Sequence, residues 1–214
     1  MNYAIIPAAG RSSRLGRSKA LLPLGEAPVI DVLTGRLRRG GIDSTTVIVA
    51  AGDDRLLEHC AAICTQVVVN HQPESGMLCS IQLGHQAFAS TLGDEDIVLV
   101  CPVDYPAVSS ETIHRILSGL AQAKAEAVVP SSSGRRGHPL ALSAPTSATV
   151  HELNPTIGLR QLLRRVTALE IEVDDAGIHR DLDTCADYIE LVTLLRGGNP
   201  SSLEPRRGHT HVPS

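Results

Sequence analysis

The 214-residue chain is expected to fold as a three-layer α/β/α domain around a mostly parallel sheet. Three observations point there. Short apolar runs alternate with amphipathic segments of helical length from residue 3 onward, the rhythm that βαβ crossovers require. The run at residues 96–101 is apolar almost throughout, as a parallel strand buried on both faces should be. Aromatic residues are limited to Tyr3, Phe88, Tyr105 and Tyr188, with no Trp, so Ile, Val, Leu and Ala have to build the core.

Taken in order, residues 3–6 read as a first strand, stopped by Pro7 and a Gly-rich loop. Residues 29–37 follow as a helix ending at Gly40-Gly41. Residues 45–50 form a β-branched strand, with a helix at about 53–62 after it. A third strand at 66–69 leads to a helix at about 76–88, and the fourth strand is the run at 96–101. Ser109 is placed to cap the next helix, with Glu111 in its first turn, running to about Lys124. After a strand at 127–130 the rhythm loosens: a strand at 138–143, short helices at 147–153 and 158–166, a strand at 169–173 and a closing helix at 185–195. Residues 1–196 read as one domain, in which the irregular stretch from about 131 to 175 is expected to form a small lobe over a second substrate. The tail 197–214, rich in Gly, Pro and Ser, reads as disordered, His209 and His211 included.

Composition removes several classes of function. A net charge of −4 and the shortage of aromatics argue against a nucleic-acid surface. No apolar run approaches the roughly 18 residues that span a bilayer, and the N-terminus lacks the basic region of a signal peptide. The five cysteines (Cys60, Cys64, Cys79, Cys101, Cys185) are odd in number and contain no Cys-x-x-Cys, which fits reduced thiols in a cytoplasmic protein.

The chemistry concentrates in the segment 8–19. Small residues at Ala8, Ala9 and Gly10 let backbone approach a ligand closely, and Gly10 and Gly16 bracket a turn suited to an anion-binding nest. Arg11, Arg14, Arg17 and Lys19 place four cations in nine residues of an acidic protein. The segment matches neither G-x-x-x-x-G-K-[ST] nor G-x-G-x-x-G, which disfavours a P-loop ATPase and a dinucleotide-dependent dehydrogenase. Two acidic positions are suited to complete a phosphoryl-transfer centre. Asp104 follows the fourth strand between Pro102 and Pro106, and alternation puts Asp181 and Asp183 on one side of an extended segment. Mg²⁺ favours one or two carboxylates plus substrate phosphates. From local sequence Asp183 is equally well read as the N-cap of the closing helix.

These residues resemble the molybdenum-cofactor nucleotidyltransferase-like family, among the glycosyltransferase-A-like nucleotidyltransferases, and most closely its molybdenum cofactor cytidylyltransferase branch. The resemblance rests on Ala8-Ala9-Gly10-x-Ser12-x-Arg14-x-Gly16-x-x-Lys19, Leu21-Leu22-Pro23-Leu24, Asn70 with Gly76-Met77-x-x-Ser80, and Pro102-Val103-Asp104-x-Pro106. Gly137-His138-Pro139, Gly158-x-Arg160-x-Leu162-Leu163 and Asp181-Leu182-Asp183-Thr184 complete it, so that it runs in order from residue 3 to about 195. It implies a Rossmann-like sheet with a small acceptor-binding lobe, and an Mg²⁺-dependent enzyme that transfers a nucleoside monophosphate, CMP first, to a molybdopterin-type phosphomonoester with release of pyrophosphate. Ala8, Ala9, Gly10, Ser12, Arg14, Lys19, Gly76, Ser80 and Asp104 are then expected at the nucleotide, with Arg14, Lys19 and Asp104 catalytic. Asp104 and Asp183 are expected at Mg²⁺, and His138 and Arg160 at the acceptor. The implied partners are a nucleoside triphosphate (CTP, with GTP or ATP open), a phosphorylated small molecule and a molybdenum hydroxylase. Pro7 stands where the branch usually has Leu, and Cys185-Ala186 where Pro-Glu is common. A sugar- or polyol-phosphate nucleotidyltransferase and a non-catalytic carrier of the cofactor remain as alternatives.

Of the remaining residues, Met77 is expected in the core, and Arg164-Arg165 on the polar face of a short helix. Arg135 and Arg136 either meet an anionic acceptor or form a solvated turn. His59, His71, His85, His114, His151 and His179 read as ordinary surface or core polar residues.

Overall fold

The computed structural model describes residues 1–10, 18–63, 66–154 and 158–195. The chain opens with β1 (Asn2–Pro7), a 3₁₀ turn (Lys19–Leu21) and a two-stranded ribbon of β2 (Pro23–Leu24) and β3 (Ala27–Pro28). Then come α1 (Val29–Arg39), β4 (Ser44–Ala50), α2 (Asp54–Ala62), β5 (Gln66–Asn70), α3 (Met77–Gln86) and β6 (Ile97–Val100). The second half holds α4 (Ser110–Ala123), β7 (Ala127–Ser132), β8 (Arg135–Arg136), β9 (Leu140–Ser143), α5 (Ala144–Ala148), α6 (Arg160–Arg165), β10 (Ala168–Glu172) and α7 (Cys185–Leu195).

Eight strands form one mixed sheet in the order β10-β7-β9-β6-β1-β4-β5, with β8 paired to β7. The β1–β4, β1–β6, β4–β5 and β7–β10 pairs are parallel. Period-two alternation sorts β1 between two cores. Ala4 and Ile6 pack with Ile30, Leu33 and Leu37 of α1 and Ile113, Ile116 and Leu120 of α4. Tyr3 and Ile5 face the other way, with Leu78 and Ile81 of α3 and Leu162 of α6. Gly84 lets α3 sit close: a Cβ there would lie 2.6 Å from Ile5 Cγ2 and 2.8 Å from Ile48 Cδ1.

The stretch 131–175 differs from the expected lobe. β9 lies inside the main sheet, antiparallel to both β6 and β7, and β10 extends its edge. This strand begins at Leu140 rather than at His138, because Pro139 has no N–H to give a ladder and His138 N–H donates instead to Ile178 O at 2.9 Å. The β7–β8 hairpin pairs onto the sheet, and α6 packs Leu162 into the core. The tail 197–214 lies outside the described residues, as does Cys64. Among the described residues no helix is long and apolar enough to cross a membrane.

Candidate active site

β1 is the switch point of the sheet: the chain passes from β1 to β4 and β5 on one side, then crosses to β6 on the other. Open α/β sheets bind ligands in the crevice at the carboxyl ends of strands at such a point. The ladder runs past β1 there, with Ala8 N–H donating to Ile48 O at 2.9 Å and Val103 N–H to Pro7 O at 3.2 Å. Beyond those bonds lies a cavity of about 260 Å³ whose lining includes Ala8, Ala9, Gly10, Lys19, Gly76, Met77, Ser80 and Asp104. The lining comes from four separate segments, and seven of its twelve residues are among those expected at the nucleotide.

Each side of the cavity has a local cause. Gly76, with φ of 89°, turns the chain from the 3₁₀ turn Pro73–Ser75 into α3, a conformation that side chains disfavour. The cavity thus meets the N-terminal, positive end of a helix dipole. Ser80 is buried and accepts a hydrogen bond from Asn70 Nδ2 at 3.0 Å, while Asn70 Oδ1 accepts from Gln72 N–H at 2.8 Å. That pair ties α3 to the end of β5. Met77 is not a core residue: it is 48% exposed, because as the first residue of α3 it stands at the rim and not on the face against the sheet.

Asp104 and Asp183 converge on Lys19. Lys19 Nζ lies 2.5 Å from Asp183 Oδ1 and 3.5 Å from Asp104 Oδ1. Leu182 N–H donates to Asp104 O at 2.9 Å, which holds the two carboxylate-bearing segments together, and Leu182 is fully buried. The N-cap alternative for Asp183 is not what forms. Thr184 caps α7, its Oγ1 accepting from Asp187 N–H at 3.2 Å while Asp187 Oδ2 accepts from Thr184 N–H at 2.6 Å. This reciprocal capping box leaves the Asp183 carboxylate for Lys19. Burial pushes the Asp104 carboxyl above its usual range; Lys19 opposes that, and Asp183 and Asp181 add to it.

A second cavity of about 560 Å³ adjoins the first, with Met77 lining both. Its floor is apolar (Leu78, Ile81, Val100, Val129, Leu140, Leu163), and Arg136, His138 and Arg160 also line it. His138 packs tilted against Tyr105, with ring centroids 4.2 Å apart and the planes at 36°. Burial lowers its pKa, against the pull of Asp181, and its Nδ1 is the one buried side-chain polar atom without a partner among the described residues. His138 and Arg160 therefore both line the second cavity. Ser12 and Arg14, expected at the triphosphate, lie outside the described residues. Among the described residues no group of three or more His, Cys, Asp or Glu forms a metal cage. Two carboxylates that already hold one cation between them nevertheless suit Mg²⁺, which takes its remaining oxygens from phosphates and water.

Sequence reasoning missed Tyr105 and Asp175. Tyr105 follows Asp104 directly, and that adjacency was the available signal. Asp175 acts on residues far away along the chain, accepting from Ser109 N–H at 2.8 Å and from Thr112 Oγ1 at 2.6 Å, and nothing local marks it.

Comparison with known proteins bears on this arrangement. The sequence profile of the MobA-like NTP transferase domain matches residues 4–171. The nicotine blue oxidoreductase of Paenarthrobacter nicotinovorans is 28% identical over 197 residues, covering 88% of this chain and 95% of that protein. The molybdenum cofactor cytidylyltransferase of Escherichia coli strain K12 is 25% identical over 187 residues, covering 86% and 92%. The manganese complex of Rv0371C from Mycobacterium tuberculosis H37Rv superposes with a TM-score of 0.71 at 23% identity, over 89% of this chain and 97% of that one. The sheet and its flanking helices have the glycosyltransferase-A-like nucleotidyltransferase architecture.

Proposed function

The chain belongs to the MobA-like NTP transferase family and is a nucleotidyltransferase by that membership; from this premise we propose that it transfers a nucleoside monophosphate, CMP first, from a triphosphate to a phosphomonoester of molybdopterin type, with Mg²⁺ and release of pyrophosphate. The observation that carries the reading is the convergence of Asp104 and Asp183 on Lys19, with Lys19 and Asp104 themselves lining the first cavity. A manganese complex among the structural neighbours adds support for a divalent ion.

In this reading the first cavity takes the donor. Ala8, Ala9 and Gly10 bring backbone against it, Lys19 and Arg14 meet the triphosphate charge, and Asp104 and Asp183 would hold the metal. When bound, the ion neutralises charge that builds on the transferring phosphate. The second cavity takes the acceptor, its apolar floor under a ring system and Arg160 and His138 toward anionic groups, while the Arg136 guanidinium beside them is held by Glu170. Because the two cavities share Met77, an acceptor phosphate oxygen can approach the α-phosphorus. One P–O bond forms to that oxygen, and the bond to the β-phosphate bridge breaks, releasing pyrophosphate. An ionised phosphate attacks without a general base, so the pair of cavities needs only to position the reactants and balance their charge. The site of action is proposed to be the cytoplasm, and a molybdenum hydroxylase is the proposed recipient of the product.

Two readings compete. Pro7, where the branch usually has Leu, favours a sugar- or polyol-phosphate acceptor. The 28% identity to a protein named an oxidoreductase favours redox chemistry. Pyrophosphate release measured over CTP, GTP and ATP against a panel of pterin, sugar and polyol phosphates separates them. Release with CTP and a pterin phosphate is the expected result. Release only with sugar or polyol phosphates replaces the acceptor, and consumption of a redox co-substrate without pyrophosphate sinks the proposal.

A further inference from the structure

The position between Asp104 and Asp183 is held by the ammonium of Lys19, 2.5 Å from one carboxylate and 3.5 Å from the other. Lys19 is poorly exposed there, with 15% of its side chain accessible. Its backbone is fixed as well, since it opens the 3₁₀ turn and its carbonyl accepts Leu22 N–H at 3.1 Å. A divalent ion seated on both carboxylates would share a space of a few ångströms with that ammonium. Like charges so close repel by several times thermal energy even with generous screening. One cation can occupy the position at a time.

We infer that Lys19 makes the site selective for a metal–triphosphate complex over the bare metal, by holding both carboxylates until a triphosphate offers its ammonium another anion. This rests on the reading of Asp104 and Asp183 as the metal carboxylates. A free divalent ion must displace Lys19 and leave it among like charge. A triphosphate carrying the ion supplies oxygens for the displaced ammonium, so the carboxylates trade one cation for another with no charge stranded. Metal and nucleotide therefore strengthen each other's binding, and by linkage the effect is equal in both directions. Lys19 lines the same cavity as Ala8, Ala9 and Gly10, the residues proposed to face the phosphates.

The test is a titration of Mn²⁺ followed by electron paramagnetic resonance, on the full chain, with no acceptor present. Wild-type protein is expected to bind bare Mn²⁺ weakly and to bind it far better once CTP is added. Lys19→Met is expected to take bare Mn²⁺ about tenfold more tightly than wild type, and the gain from added CTP should shrink. Lys19→Arg, which keeps the charge, should exclude bare Mn²⁺ as wild type does. Melting followed by circular dichroism checks that each variant folds, and Lys19→Gln serves if Lys19→Met does not. The inference is overturned if the uncharged variants bind bare Mn²⁺ no better than wild type, or if their gain survives Asp183→Asn. Pyrophosphate release by wild-type enzyme is a separate measurement, so failure of the nucleotidyl-transfer reading is recognised independently of this one.

Discussion

Burial pushes the Asp104 carboxyl upward, and Asp183 and Asp181 add to the pressure while Lys19 relieves part of it. A carboxyl buried among other carboxylates is placed for a ligand, and the fold is no more stable for it. Asp104→Asn is therefore expected to lower kcat by at least about a hundredfold while the melting temperature stays level or rises. Pyrophosphate-release kinetics and a thermal melt on one preparation check both halves, and a variant that melts much lower with kcat intact would refute the assignment. At this scale the sequence was informative wherever residue type and chain position decide the role. Lys19 and Asp104 were picked out because a cation cluster and a carboxylate followed runs that had to be strands, and Asp183 because it stood with Asp181 in an extended segment before the closing helix. Met77 was misread because side-chain type says apolar, while its first position in α3 says rim. Asp183 was equally well read as an N-cap or a metal ligand, and the box that Asp187 closes on Thr184 takes the cap away from it.

Among the elements, α4 is the one whose placement bears most on the site. Its N-cap is local and was readable: Ser109 Oγ accepts Thr112 N–H at 3.1 Å. The rest of that helix end is tertiary. Asp175 Oδ2 accepts from Ser109 N–H and Thr112 Oγ1, and its Oδ1 accepts from Gly177 N–H at 2.8 Å. Arg36 of α1 donates to Pro106 O at 2.7 Å in the loop that carries Asp104. Asp175 thus fastens the segment leading to Asp183 against the helix that follows Asp104, with a carboxylate at the positive end of the helix dipole. Burial alone would raise its pKa, but the bonds from Thr112, Ser109 and Gly177 outweigh it and hold the carboxyl below its ordinary value. With the folded value depressed, the native state binds fewer protons than the unfolded chain in the window between the two values. The stabilisation is then complete above the unfolded pKa of about 4 and lost as pH falls through the folded one. Asp175→Asn should cost roughly 2 kcal/mol at pH 7. Urea denaturation of both proteins from pH 7 downward should see that gap close below about pH 4, and a gap independent of pH would rule this account out.

For the molecule as a whole, the decisive feature is β9. Strand and helix positions were legible because their periods differ and because a short apolar run bounded by turn residues suits a buried strand. Strand order was not, since nothing in Leu140–Ser143 says whether it pairs outside the sheet or between β6 and β7. Its partners are chosen by what the rest of the chain leaves open. The consequence is physical: the floor of the second cavity is made by Val100 of β6, Val129 of β7 and Leu140 of β9, three adjacent strands of the sheet that also carries the first cavity. A free-standing lobe would melt on its own, and its ligand would raise only its own transition. In the proposed reading donor and acceptor bind against one sheet, so each should raise the same transition in a calorimetric scan. A ligand at a hundred times its Kd adds about 2.7 kcal/mol, which for a domain of this size is a rise of roughly 5 to 10 °C. CTP with Mg²⁺ is expected to give that rise, Mg²⁺ alone very little because Lys19 holds its place, and the acceptor a further rise in the same peak. Two separable peaks, or an acceptor that moves only a minor one, would divide the site between two folding units.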